Sequence, residues 1–232
     1  LYYVTVNLVF TINVKVMLLK DQLSRVSQYI RAQIGVDILA AMDKATADFK
    51  AQGLAGKGAK VGDAFPSTRL FNAHGNEVVL EELLQQGPLA VTFYRGGWCP
   101  CCSLELKAYQ AVLSEIKASG GQLVAITPEP SANTLATSQQ NELSFDILTD
   151  KGNELAKQLG ILVFLPEALQ KLYGGAHVDW KIYSVNSRIA LPIPATFVVG
   201  QDGIIIYRFV DEDYTKRAEP KDVLDILWKG TG

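Results

Sequence analysis

Three cysteines, Cys99, Cys101 and Cys102, fall within four residues, and the sequence contains no others. Cys99 and Cys102 have the spacing C-x-x-C, with Trp98 just before them and Pro100 inside the motif. Sulfur chemistry runs through the thiolate. A cysteine at a helix start lies among unpaired backbone N–H groups and at the positive end of the helix dipole. Both favour the anion and can bring a thiol pKa from about 8.5 into the range of roughly 3.5–7.5. A second sulfur one turn further on can resolve a mixed disulfide or a sulfenic acid. The segment therefore predicts dithiol redox chemistry. Cys101 lies between the pair and reads as a packing residue, because a disulfide between adjacent cysteines is strained. A structural zinc site needs four ligands. The sequence offers no second cysteine pair, and His74 and His177 stand alone, so no metal is expected.

These sulfurs need a strand before them and a helix after them, and the flanking pattern supplies both. Residues 89–94 (LAVTFY) form a short apolar run that reads as a buried strand. A helix is predicted from near the cysteines to about Ser119, ended by Gly120-Gly121. Further strands are predicted at 123–127, 145–148, 195–199 and 204–209, the last two joined by a turn at Asp202-Gly203. A hairpin is predicted around His74-Gly75-Asn76. Helices are expected over 131–141 with Ser131 as cap, over 153–159, and from Pro220 to about Lys229. Residues 161–190 read as an insertion with one helix near 167–173. Its Trp180–Tyr183 stretch is a candidate lining for a substrate or partner surface. The alternation of strands and helices predicts an α/β domain from about residue 60 onward.

Before that domain, Leu19, Leu23, Val26, Ile30 and Ile34 recur at helical spacing, Gly35 suggests a break, and a second helix follows to Gln52. Residues 17–59 thus form a helical extension, and 53–62 are a glycine-rich linker. The Gly56-Lys57-Gly58 fragment inside it lacks the strand that a phosphate loop requires. Residues 1–16 are apolar but interrupted by Asn7, Asn13 and Lys15. They are expected to be disordered or foreign to the native protein, which would start at Met17.

With 232 residues and 48% hydrophobic content the chain can bury a sizeable core. A formal charge of −2 and the lack of any basic run argue against nucleic acid and anionic membranes as partners. Cysteines confined to one cluster leave no long-range disulfide, which suits a reducing, cytoplasmic setting.

The residues Gly62-Asp63-Ala64-Phe65-Pro66, the segment FYRGGWCPCCSLEL and the late segments LPIPATFVV and QDGIIIYRFVDEDYTKRAEP resemble the AhpC/TSA peroxiredoxin-like branch of the thioredoxin superfamily. The resemblance implies a thioredoxin-like fold and a thiol peroxidase that needs no cofactor. A peroxide would be its substrate, and thioredoxin, glutaredoxin or a small thiol its reductant. The family pattern P-x-x-x-T-x-x-C makes Cys102 the attacking sulfur, with Ser103 and Glu105 agreeing with residues that often follow it. Glu105 otherwise reads as a helix-surface charge. The pattern's proline is Arg95 here, and its threonine is Cys99. In the alternative thioredoxin register, Cys99 is the exposed nucleophile and Cys102 resolves. Both registers imply a Cys99–Cys102 disulfide as the oxidised state. Pro194 resembles the cis-proline of thioredoxins, at a place where peroxiredoxins usually carry an arginine. Arg95 is the candidate for that missing charge, acting on the Cys102 thiolate, and Trp98 is expected to shield the site. A general dithiol oxidoreductase and a non-catalytic interaction module are the rival functions, and the extension could dock a second copy.

Overall fold

The computed structural model describes residues 17–174 and 178–229. The expectation for residues 1–16 and the isolated His177 lie outside them. The centre is a seven-stranded sheet of order β10-β9-β3-β4-β5-β1-β2. Its strands are β1 (Arg69–Asn72), β2 (Glu77–Val79), β3 (Leu89–Phe93), β4 (Gln122–Thr127), β5 (Asp146–Thr149), β9 (Ala195–Val199) and β10 (Ile205–Val210). β3, β4 and β5 run parallel, and β9 and β10 return antiparallel on one side. β1 and β2 close the other side as a hairpin.

Every residue of β3 and β9 is buried, as expected of central strands covered on both faces. Side chains alternate between the faces. Ala90, Ala125, Ile147 and Val198 enter one core with the cysteines. Leu89, Val91, Phe93, Val124, Ile126 and Phe197 enter the other. The expected strands and helices form close to their predicted bounds. α1 (Leu19–Gln33) and α2 (Val36–Gln52) break at Gly35 as anticipated. The predicted linker contains a further short helix, α3 (Leu54–Lys57), and α4 (Leu80–Leu84) follows the β1–β2 hairpin.

Three local expectations need correction. The helix after the cysteines is two helices, α5 (Pro100–Ala111) and α6 (Leu113–Ala118), because Val112 departs from helical geometry. Ser131 does not cap α7 (Ser131–Gln140). Pro130 holds that position, and the Ser131 hydroxyl donates to the Asn72 carbonyl. The insertion holds more than one helix. Between α8 (Glu154–Gln158) and β9 it forms α9 (Glu167–Gly174) and a second sheet of β6 (Leu162–Phe164), β8 (Arg188–Pro192) and β7 (Ser184–Val185). α10 (Pro220–Lys229) ends the described chain.

Extension and insertion form the site's cover. α1 packs on α5, and Leu19, Leu23 and Val26 are buried there. The α1 N-terminus has no side-chain cap of its own. Its first N–H groups, those of Leu19 and Lys20, donate to the Glu219 carboxylate at 3.0 and 2.7 Å, which satisfies donors that a helix start leaves open. Met42 and Ala45 of α2 pack with Leu165, Leu169, Tyr183 and Leu191 of the insertion. No helix among the described residues is long and apolar enough to cross a membrane.

Candidate functional site

Cys99 occupies the N-cap position of α5 and Pro100 its first turn, where a fixed φ and a missing N–H cost least. The Cys102 and Ser103 N–H groups donate to the Cys99 carbonyl at 3.0 and 3.1 Å. The predicted placement of the C-x-x-C at a strand-to-helix junction is therefore observed. The predicted exposure of Cys99 is not: Cys99 is 1% and Cys102 0% exposed. α1 and the segment after β10 close over them. A narrow apolar cavity of about 30 Å³ reaches Arg95 between Met42 and Phe49 of α2, Pro194 and Tyr214.

Two buried arginines meet the sulfurs. Arg95 Nη2 donates to Cys99 Sγ at 3.1 Å, with its guanidinium over the rings of Trp98 and Tyr214 at 5.2 and 4.3 Å from their centroids. Arg95 was expected at Cys102, but the loop from β3 carries it to Cys99. The cation beside Cys102 is Arg217, whose Nη2 lies 3.5 Å from Cys102 Sγ. Arg217 Nε also donates to Glu105 Oε2 at 2.7 Å, and both side chains are almost fully buried. Glu105 is therefore no surface charge. Its other oxygen accepts from the Thr92 hydroxyl at 3.2 Å, and Thr92 lies 3.3 Å from Thr196, to which Tyr109 donates.

The environment separates the sulfurs. Burial opposes an anion at Cys99. The hydrogen bond from Cys102 and the charges of Arg95 and Arg217 outweigh it and hold Cys99 well below the ordinary thiol range. Burial, the hydrogen bond to Cys99 and the negative charge there push Cys102 well up. Burial and the Cys99 charge likewise push Cys101 up to about 12, which suits a packing residue. Burial pushes the Glu105 carboxyl up to about 7, although Arg217 and Thr92 both favour its charged form. The short contact with Arg217 makes us favour the ion pair at neutral pH.

Trp98 is half-buried and packs against the cluster that holds the cysteines, and its indole N–H donates to the Tyr183 hydroxyl at 2.8 Å. Tyr183 in turn donates to Glu129 Oε1 at 2.8 Å. Within the Trp180–Tyr183 stretch Tyr183 packs inward and is 1% exposed, whereas Trp180 and Ile182 are half-buried and Lys181 is exposed. Pro194 lies at the mouth of β9 beside Arg95. The structure contains no cis peptide bond among the described residues, so the resemblance of Pro194 to a cis-proline fails. Arg217 and Glu129 escaped sequence analysis, and Tyr183 is singled out there only as part of a candidate surface. Arg217 lies inside the late segment that carries the family resemblance, which was the available signal.

The fold that carries this site is shared with known proteins. The AhpC/TSA family profile matches residues 61–208. The chain is 25% identical over 146 residues to the bcp peroxiredoxin-type protein of Helicobacter pylori (strain J99), covering 63% of this chain and 84% of that one. Among solved structures, peroxidoxin BcpB of Mycobacterium tuberculosis superposes with a TM-score of 0.58 at 18% identity, covering 72% of this chain and 96% of that one. A peroxiredoxin 6 mutant of Arenicola marina gives 0.59 at 17% identity, covering 73% and 72%. These neighbours share the thioredoxin-like fold, and the chain belongs to the AhpC/TSA family.

Proposed function

We propose that this protein is a thiol-dependent peroxidase whose redox pair is Cys99 and Cys102. The observation that carries this reading is the convergence of Arg95 and Arg217 on two sulfurs at the first turn of α5. Two cations in a buried site stabilise one anion and can orient the polar end of a peroxide. Membership of the AhpC/TSA family supports the same chemistry.

In this reading the resting anion is on Cys99, with Cys102 as the thiol that donates to it. The Cys99 thiolate attacks the terminal oxygen of a hydroperoxide. An S–O bond forms, the O–O bond breaks, and the departing oxygen takes the Cys102 proton and leaves as alcohol or water. Cys102, now a thiolate, attacks the Cys99 sulfenic sulfur. The disulfide forms, and hydroxide leaves and is protonated to water. A dithiol such as thioredoxin or glutaredoxin, or a small thiol, then returns two electrons and two protons.

A second order, with Cys102 attacking first, follows from the family register and from the Arg217 contact at 3.5 Å. Substoichiometric peroxide followed by mass spectrometry separates the two. Wild type should form the Cys99–Cys102 disulfide. Cys102→Ser should accumulate sulfenic acid on Cys99, and both serine variants should lose turnover. Peroxide that leaves all sulfurs reduced, while protein disulfides are still reduced, would replace the peroxidase with a general dithiol oxidoreductase.

A further inference from the structure

We propose that Glu129 and Tyr183 are positioning residues for Cys99, acting through Trp98 and the 95–98 loop to hold Arg95 against the sulfur. This rests on the reading of Cys99 as the resting thiolate. Glu129 stands just beyond β4 and is 3% exposed. Its two oxygens do separate work. Oε2 accepts from the Gly97 N–H at 2.8 Å, and Oε1 accepts from the Tyr183 hydroxyl at 2.8 Å. Tyr183 accepts from the Trp98 indole N–H. One buried carboxylate thus fixes the loop backbone directly and the Trp98 ring through one intermediary.

The consequence for Cys99 follows from what stands on that loop. The Trp98 ring lies against the Arg95 guanidinium, and Arg95 Nη2 reaches Cys99. The Cys99 N–H donates to the Gly96 carbonyl at 3.1 Å. The loop backbone is tightly packed here. A Cβ on Gly96 would overlap Trp98 Nε1 and lie 2.6 Å from the Tyr183 hydroxyl, and one on Gly97 would overlap the Thr137 hydroxyl. The glycine pair before Trp98 is therefore a close-approach requirement. Tyr183 comes from the insertion, far from the cysteines in sequence, so the insertion completes the site. The Trp98, Trp180 and Tyr183 rings meet edge to face at 5.7–6.4 Å, which keeps Tyr183 aimed at Trp98.

Among the described residues, the charged and titratable groups facing Cys99 are Arg95, Arg217, Glu105, Glu129, Cys101 and Cys102. Glu129 carries negative charge towards Cys99, so its benefit to the thiolate comes through geometry. Tyr183→Phe breaks the chain without changing any charge. Trp98→Phe keeps a ring beside Arg95 but removes the N–H donor. The experiment is a titration of the thiolate by its ultraviolet absorbance in the full-length protein, alongside thermal unfolding. Both variants should stay folded and lose about tenfold in thiolate population below the wild-type midpoint, one pKa unit. If either variant does not fold, the other decides. Glu129→Gln is the third arm. It can accept from Gly97 or from Tyr183 but not both, and should shift the midpoint upward by less. A wild-type titration in the folded variants would overturn the inference and leave the peroxidase reading standing. Absent peroxide turnover in wild type would remove that reading while the titration still tests the loop.

Discussion

Two arginine–cysteine contacts lie side by side and differ in what else each arginine touches. Arg217 is fully committed. It bonds Glu105 at 2.7 Å, reaches Cys102 only at 3.5 Å and also donates to the Lys216 carbonyl. Arg95 lies over two aromatic rings and turns Nη2 to Cys99 at 3.1 Å. Arg217 is thus shared between Glu105 and Cys102, whereas Arg95 meets Cys99 at the shorter distance, beside two aromatic rings. The comparison teaches that proximity to a cation does not by itself choose the nucleophile. The hydrogen bond between the sulfurs and the nearer Arg95 contribute as well, and here they favour an anion at Cys99 and a proton on Cys102.

Removing Arg217 attacks the committed side and has the largest expected effect. Arg217→Met leaves the Glu105 carboxylate buried without its counter-ion, and breaking such a pair costs about 3–5 kcal/mol. Urea unfolding should show that loss. Adding Glu105→Gln should recover most of it, because the stranded charge is gone. Arg95→Met attacks the other side. It should slow alkylation of Cys99 at pH 6 by roughly 10–100-fold, an effect of one to two pKa units, with a much smaller change in unfolding than Arg217→Met.

The comparison can also be sharpened by pH. Cys99 ionises at lower pH in the folded protein than in the unfolded chain, so its contribution to stability is complete above the unfolded thiol pKa of about 8.5. That contribution falls as the pH drops towards the folded value. Wild type should therefore lose stability relative to Cys99→Ser as the pH is lowered from 8.5 to 6, by up to about 1.4 kcal/mol per pH unit. Differential scanning calorimetry of both proteins checks the sign. Glu219→Ala is expected to act least, costing about 1 kcal/mol as a lost helix cap. It frees the α1 start and should speed alkylation of the covered sulfurs, measured by mass spectrometry.

Where the chain's pattern is local, the sequence was readable. The apolar run of β3, the break at Gly35 and the helix from Pro220 each follow from a few adjacent residues and their spacing. The C-x-x-C and its helix start belong to the same class. What escaped is built from distant residues. β7 has two residues and β6 three, too short to show a period, and their pairing with β8 is a tertiary matter. Glu105 reads as solvated until α5 is laid against β3, where Thr92 and Arg217 enclose it. Arg95 follows β3 and Arg217 follows β10, with β4, β5, β9 and β10 of the central sheet between them in sequence, and only folding decides which sulfur each one meets. Tyr183 belongs to an insertion without a sustained period, yet its hydroxyl joins Trp98 to Glu129.

The most direct test of where the charge rests is a thiolate titration of Cys99→Ser and Cys102→Ser beside wild type. Serine at 102 can still donate a hydrogen bond, so Cys102→Ser should keep a thiolate that forms well below the ordinary thiol range, whereas Cys99→Ser should lose it. A low-pH thiolate that survives in Cys99→Ser and vanishes in Cys102→Ser would contradict the account and move the nucleophile to Cys102.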